Sequence, residues 1–117
     1  MTYKQLEEYL LSKQKSRIDY PFDAVTPVFK VFNKMFALVS IDENPLRINL
    51  KCDPADAEAL RGMYRAIIPG YHMNKRHWNT IILDDTVPAE LLYELIDHSY
   101  DLVVKTLKKS EREQLNY

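Results

Sequence analysis

Between Leu46 and Cys52 apolar and polar side chains alternate without a break: Leu46, Ile48, Leu50 and Cys52 on one count, Arg47, Asn49 and Lys51 on the other. A period of two describes an extended strand, because a helix would scatter these apolar positions around its axis. Such a strand is buried on one side and wetted on the other, so it belongs to a sheet with an open face. Asp53-Pro54-Ala55-Asp56 follows at once and starts a helix. Asp53 is the N-cap, Pro54 fits the first turn, where its missing amide donor costs nothing, and Asp56 sits near the positive end of the dipole.

The rest of the chain is organised around that pair. Residues 3–14 have helical spacing, with Tyr3 leading, Leu6, Tyr9 and Leu10 on one stripe, and Thr2 as N-cap. Residues 16–23 show no clear period, and Pro21 breaks them. Residues 25–32 and 35–41 read as strands, with Pro27 at an edge or early position and a tight hairpin turn at Asn33-Lys34. Asp42 to Pro45 is a polar turn. The helix after Asp53 is expected to run to about Arg65, and Ile67 to Gly70 to end it and turn the chain. Residues 79–83 form another strand, Asp84-Asp85-Thr86 a turn, and Pro88 opens the longest helix. Its stripe is Leu91, Leu92, Leu95, Ile96, Ser99, Leu102, Val103 and Leu107, and the charged tail from Lys108 to Tyr117 is expected to fray. The order α-β-β-β-α-β-α, without βαβ alternation, predicts an α+β fold: one domain over residues 1–117, with helices on one face of an antiparallel sheet.

Length and charge then limit the functions. The 117 residues suit a single core, and 46% hydrophobic with 28% charged residues is ordinary for a globular chain. No apolar run approaches the ~20 residues that cross a bilayer, and Met1 to Glu8 carries acids where a signal peptide would be apolar. The expectation is a cytoplasmic protein with no membrane association, and a monomer. A net charge of −1, from 16 Lys and Arg against 17 Asp and Glu, tells against a protein that coats nucleic acid but leaves room for a local basic patch. The one cysteine, Cys52, excludes an internal disulfide and a cysteine-rich metal site.

The same inventory offers no catalyst and no cofactor. His72 and His77 are five apart and His98 is on the last helix, without the ligand spacing of a zinc site, so no metal is expected. His98 is expected to hydrogen-bond at the flank of its helix. Cys52 is in phase with Ile48 and Leu50 and reads as an inert core thiol. None of the serines lies in a nucleophile elbow, Glu7-Glu8 and Asp84-Asp85 read as solvated neighbours, and two glycines do not make a phosphate loop.

What remains is the run from Gly70 to Asp84, which gathers two histidines, two asparagines, Lys75, Arg76 and the only tryptophan. Alternation puts Trp78, Thr80 and Ile82 on one side of its strand and Asn79, Ile81 and Leu83 on the other. If the second set packs inward, Trp78 stands near the open face that carries Arg47, Asn49 and Lys51. An aromatic among cations suits base stacking and phosphate contact. The plainer alternative is that Trp78 anchors the core edge while Lys75 and Arg76 are a solvated turn.

The block Tyr71-His72-Met73-Asn74-Lys75-Arg76-His77-Trp78-Asn79-Thr80 resembles the signature of the MmcQ/YjbR family of small bacterial proteins. Lys34 to Leu38 is similar to the family's second strand and Leu95 to Val103 to its last helix. The resemblance implies a frataxin-like α+β fold and a DNA-binding role, of a regulatory kind, through a double wing of sheet hairpins. On this chain the wings would be the turns at Asn33-Lys34, with one cation, and at Asp42 to Pro45, whose Asp42 and Glu43 repel phosphate. Asp85 stands where many relatives have glycine. Iron binding of the frataxin kind is not implied, because the first helix offers only Glu7 and Glu8.

Two functions follow. The first is binding of duplex DNA by Lys34, Arg47, Asn49, Lys51, Lys75, Arg76, His77 and Trp78. The second is a non-enzymatic module for a small ligand or a protein partner, with Tyr71, His72, Asn74, Trp78 and Asn79 lining a pocket. In a variant of the second, the block is a structural clamp, with His72 and Asn74 capping backbone groups of an irregular loop.

Overall fold

The computed structural model describes residues 1–71 and 73–115. It contains α1 (Tyr3–Leu11), β1 (Ser16–Asp19), β2 (Val28–Val31), β3 (Lys34–Ser40), β4 (Arg47–Lys51), α2 (Pro54–Met63), β5 (Ile67–Pro69), β6 (Trp78–Ile82), α3 (Ala89–Val104) and α4 (Lys109–Arg112). The strands form one antiparallel sheet in the order β1-β2-β3-β4-β6-β5. The α+β class and the backbone of the expected order hold, with β1, β5 and α4 as short additions.

The helix starts follow their sequence signals. Thr2 caps α1, its side chain accepting from the Gln5 amide while the Gln5 side chain accepts from the Thr2 amide. Asp53 caps α2 by accepting from the amides of Ala55 and Asp56. The β2–β3 turn lies one residue earlier than expected, at Phe32-Asn33, because Val31 pairs with Lys34. Phe32 adopts φ 53°, and Arg17 Nη2 donates to its carbonyl at 3.0 Å, which holds this unusual turn residue in place.

The alternation of β4 and β6 is borne out. Ile48 pairs with Ile81 and Leu50 with Asn79 on the helix side, while Asn49 pairs with Thr80 and Lys51 with Trp78 on the open side. Pairing passes from Phe29–Ala37 to Lys30–Met35, so β3 carries Phe36 as an extra residue. This bulge buries consecutive residues, Phe36 and Ala37, and the Phe36 ring meets Tyr100 of α3 edge-on at 5.2 Å. Ser99 locks the same place: its Oγ donates to the Phe36 carbonyl at 2.6 Å and accepts from the Lys51 amide at 2.9 Å. One core cluster joins Leu6 and Leu10 of α1, the inner strand residues, and Leu92, Ile96, Val103 and Val104 of α3.

Candidate functional site

The open face is not bare. The segment from Phe22 to Thr26 on one side and Tyr71 with Met73 on the other rise above β3, β4 and β6 and enclose a cleft of about 550 Å³. Leu38, Ser40, Arg47, Asn49 and Thr80 make its floor. Strand register explains why: Ser40 pairs with Arg47, Leu38 with Asn49 and Asn49 with Thr80, so all five side chains share one face. Asp23 shapes the first wall by accepting from the amides of Val25 (2.9 Å) and Thr26 (2.6 Å) and from the Thr26 hydroxyl (2.8 Å). Those bonds, the Val25 amide foremost, hold its carboxyl below the usual range.

The floor is polar and partly sealed. Thr80 Oγ1 accepts from the Tyr71 amide at 3.1 Å and donates to Asn49 Oδ1. This relay ties the second wall to the floor and turns the Asn49 amide group, on a residue only 7% exposed, toward the cleft. Arg47 Nε is buried without a hydrogen-bond partner among the described residues. Glu43 stands exposed at the rim.

The candidate residues divide between several places. Arg47, Asn49 and Tyr71 meet at the cleft. Lys51 and Trp78 are partners at the other end of β4. Lys34 pairs with the core residue Val31 and so falls at the hairpin end, on the helix side of the sheet. Arg76 lies beside Asp53, Glu58 and Arg61 at the start of α2, and Lys75 Nζ donates to the Gly70 carbonyl at 3.4 Å. His77 is used through its backbone, its carbonyl accepting from the Cys52 amide at 2.8 Å. The turns expected as wings join successive strands of a meander and therefore project from opposite ends of the sheet.

Asn79 is a correction. It was expected to line a pocket, but it sits on the helix face, 3% exposed, accepting from Arg61 Nε at 2.7 Å and donating to the Ala57 carbonyl at 3.4 Å. Its strand phase required this once Ile81 faced the core. Asn74 acts as the clamp reading anticipated: Oδ1 accepts from the Arg76 amide, and its carbonyl accepts from the amides of His77 and Trp78. His72 lies outside the described residues. His98 accepts from the Asp53 amide at 3.2 Å, at its helix flank as expected. Cys52 is in the core, and burial, with Asp56 and Asp53 adding, pushes its thiol up to about 11. The residues sequence reasoning missed are the wall, Phe22, Asp23 and Thr26, and the floor residues Leu38 and Ser40. Strand phase within 35–41 is the signal that could have found Leu38 and Ser40, whereas Phe22 carried none.

The fold and the cleft define a class: a small α+β protein with helices on one face of an antiparallel sheet and a loop-walled cleft on the other. The chain belongs to the YjbR family, whose model matches residues 11–102. It is 34% identical over 115 residues to the uncharacterised YjbR protein of Escherichia coli, covering 98% of each chain. It is 38% identical over 96 residues to the YbdF protein of Escherichia coli, covering 82% of this chain and 79% of that one. A crystal structure of a Deinococcus radiodurans protein superposes with a TM-score of 0.90 at 46% identity, covering 97% of this chain and 86% of the other. A crystal structure from Pseudomonas syringae gives 0.77 at 29% identity, covering 88% and 99%. None of the described helices is long and apolar enough to cross a membrane.

Proposed function

We propose that this chain is a non-enzymatic module, monomeric and cytoplasmic, that binds a small organic ligand in the cleft on the open sheet face. The observation that carries this reading is the cleft itself: about 550 Å³, within the range that holds a small molecule, on a floor of paired strands. Asp23, Asn49 and Thr80 are held by hydrogen bonds and can orient a ligand, and Phe22, Leu38, Tyr71 and Met73 supply its apolar and aromatic lining. A fragment screen read by amide chemical shifts tests it. Hits are expected to move the signals of Leu38, Asn49 and Tyr71, and Leu38→Trp, which fills the cleft, is expected to abolish them while the rest of the spectrum is retained. Hits confined to other surfaces would sink the reading.

DNA binding is the second reading, and one observation favours it: Lys51 stands opposite Trp78 on the open side of the sheet, a cation beside a large aromatic. Against it stand the scatter of the other cations and the acids Asp23 and Glu43 at the cleft. Duplex binding would weaken steeply with salt and be lost in Lys75→Glu with Arg76→Glu. An unchanged anisotropy of labelled duplex at low salt removes this reading.

A further inference from the structure

The floor of the cleft has a chemical bias. Among the described residues, the Arg47 guanidinium has no ion pair and no hydrogen bond, and its Nε is buried. An arginine left so, part-buried in a sheet face, carries an unmet demand for an acceptor. Two residues along the same strand, Asn49 Oδ1 is engaged by Thr80, which leaves its amide group as a second donor. Ser40, the cross-strand partner of Arg47, offers its hydroxyl beside them. Three donor side chains thus share one floor, among whose described residues there is no carboxylate.

Charge decides which acceptor fits. Among the described residues Arg47 is the one cation lining the cleft, against Asp23, spent on its own turn, and Glu43 at the rim. A dianionic phosphate would bring more charge than one arginine offsets and would meet both acids, whereas a carboxylate matches the guanidinium fork one to one. Beyond the donors the lining turns apolar, with Leu38, Met73 and, at the mouth, Phe22 and Tyr71, which are 66% and 65% exposed. Resting on the ligand-binding reading above, we infer that the cleft takes a small monocarboxylic acid with an aromatic or branched apolar body. Its carboxylate sits on Arg47, Asn49 and Ser40, and its body lies under Phe22 and Tyr71.

Phenylacetate, its neutral amide phenylacetamide and phenyl phosphate are the probes, each titrated to about 10 mM into the full chain and followed by amide chemical shifts. Phenylacetate is expected to move the signals of Leu38, Arg47 and Asn49, and both other probes to bind about tenfold more weakly, the loss of a charge-assisted pair. Arg47→Lys keeps the charge but not the fork and should weaken phenylacetate several-fold. Arg47→Met should remove the preference for acid over amide, with thermal melting confirming that both variants fold. Phenylacetamide binding the cleft as tightly as phenylacetate, or acid binding indifferent to both Arg47 variants, overturns the carboxylate assignment and leaves the cleft reading standing. No shift at the cleft with any probe overturns the assignment, and a fragment screen without cleft hits then removes the reading beneath it.

Discussion

At the scale of single residues, glycine is used in an unexpected way. Neither Gly62 nor Gly70 has a positive φ, whereas Lys15, Phe32 and Asp85 do. Gly70 is needed for room: a Cβ there would lie 2.8 Å from Trp78 Cβ and 2.9 Å from its carbonyl oxygen, to which the Gly70 amide donates at 2.8 Å. Gly70→Ala must push β5 from β6, and a loss of about 1–3 kcal/mol is expected in urea unfolding. Asp85 is the converse case. At φ 69° it occupies the left-handed backbone that glycine adopts without strain, so the turn keeps the shape a glycine there would take. Asp85→Gly is therefore expected to stabilise by up to about 1 kcal/mol in the same assay, because among the described residues the one ion pair it removes is an exposed 3.5 Å pair with the N-terminal ammonium.

At the scale of elements, two side chains join layers. Ser99 holds α3 to both β3 and β4 at the bulge, so Ser99→Ala strands the buried Phe36 carbonyl and is expected to cost about 1–3 kcal/mol. Arg61 reaches from α2 to Asn79 and to the carbonyls of Lys75 and Trp78, closing the loop ahead of β6. Arg61→Met leaves Asn79 buried without its donor, and hydrogen exchange should accelerate in residues 74–78 before any other segment. The elements that sequence made legible are those carrying their own signal, such as the Thr2 and Asp53 caps and the unbroken phase of β4. β1 and β5 were not, because strands of four and three residues at a sheet edge are formed by one-sided pairing and show no period of burial. Tyr100 and Val104 lay off the expected stripe of α3 yet are buried, Tyr100 because the bulge turns the Phe36 ring toward it.

At the scale of the molecule, titration bounds the pH range of stability. Asp19, Asp23 and Asp84 are held below 3.8, chiefly by Lys30, by the Val25 amide and by Thr86 respectively, so the stability they add is present above that pH and is lost as acid protonates them. The alkaline limit comes from neutral groups. Burial raises Cys52 from 9.0 to about 11, and burial with the Asp97 hydrogen bond raises Tyr9 from 10.0 to about 12. The unfolded chain therefore loses these protons first, and stability falls from pH 9 upward. Urea midpoints across pH should show a plateau ending near 9, and Cys52→Ala should flatten the first part of the alkaline fall; an unchanged slope would contradict this origin. The candidate site was legible only where strand phase spoke, at Arg47 and Asn49. Lys75 and Arg76 were joined to Trp78 by nearness in sequence and Lys34 by its turn, but a meander sends successive turns to opposite ends, and the cleft wall depends on Asp23 folding its own turn. One further consequence lies at the outer margin of β5. The amides of Gly70 and Ile82 bond across to Trp78 and Ala66, so the even-numbered residues of β5 face β6 and Ile67 and Pro69 face outward. Proline has no amide hydrogen, and the Ile67 amide already donates to the Tyr64 carbonyl at 3.1 Å, so neither outward residue of β5 offers a foreign strand a free donor. A second chain arriving there finds too little to continue a ladder, so the sheet is closed to strand addition at this edge.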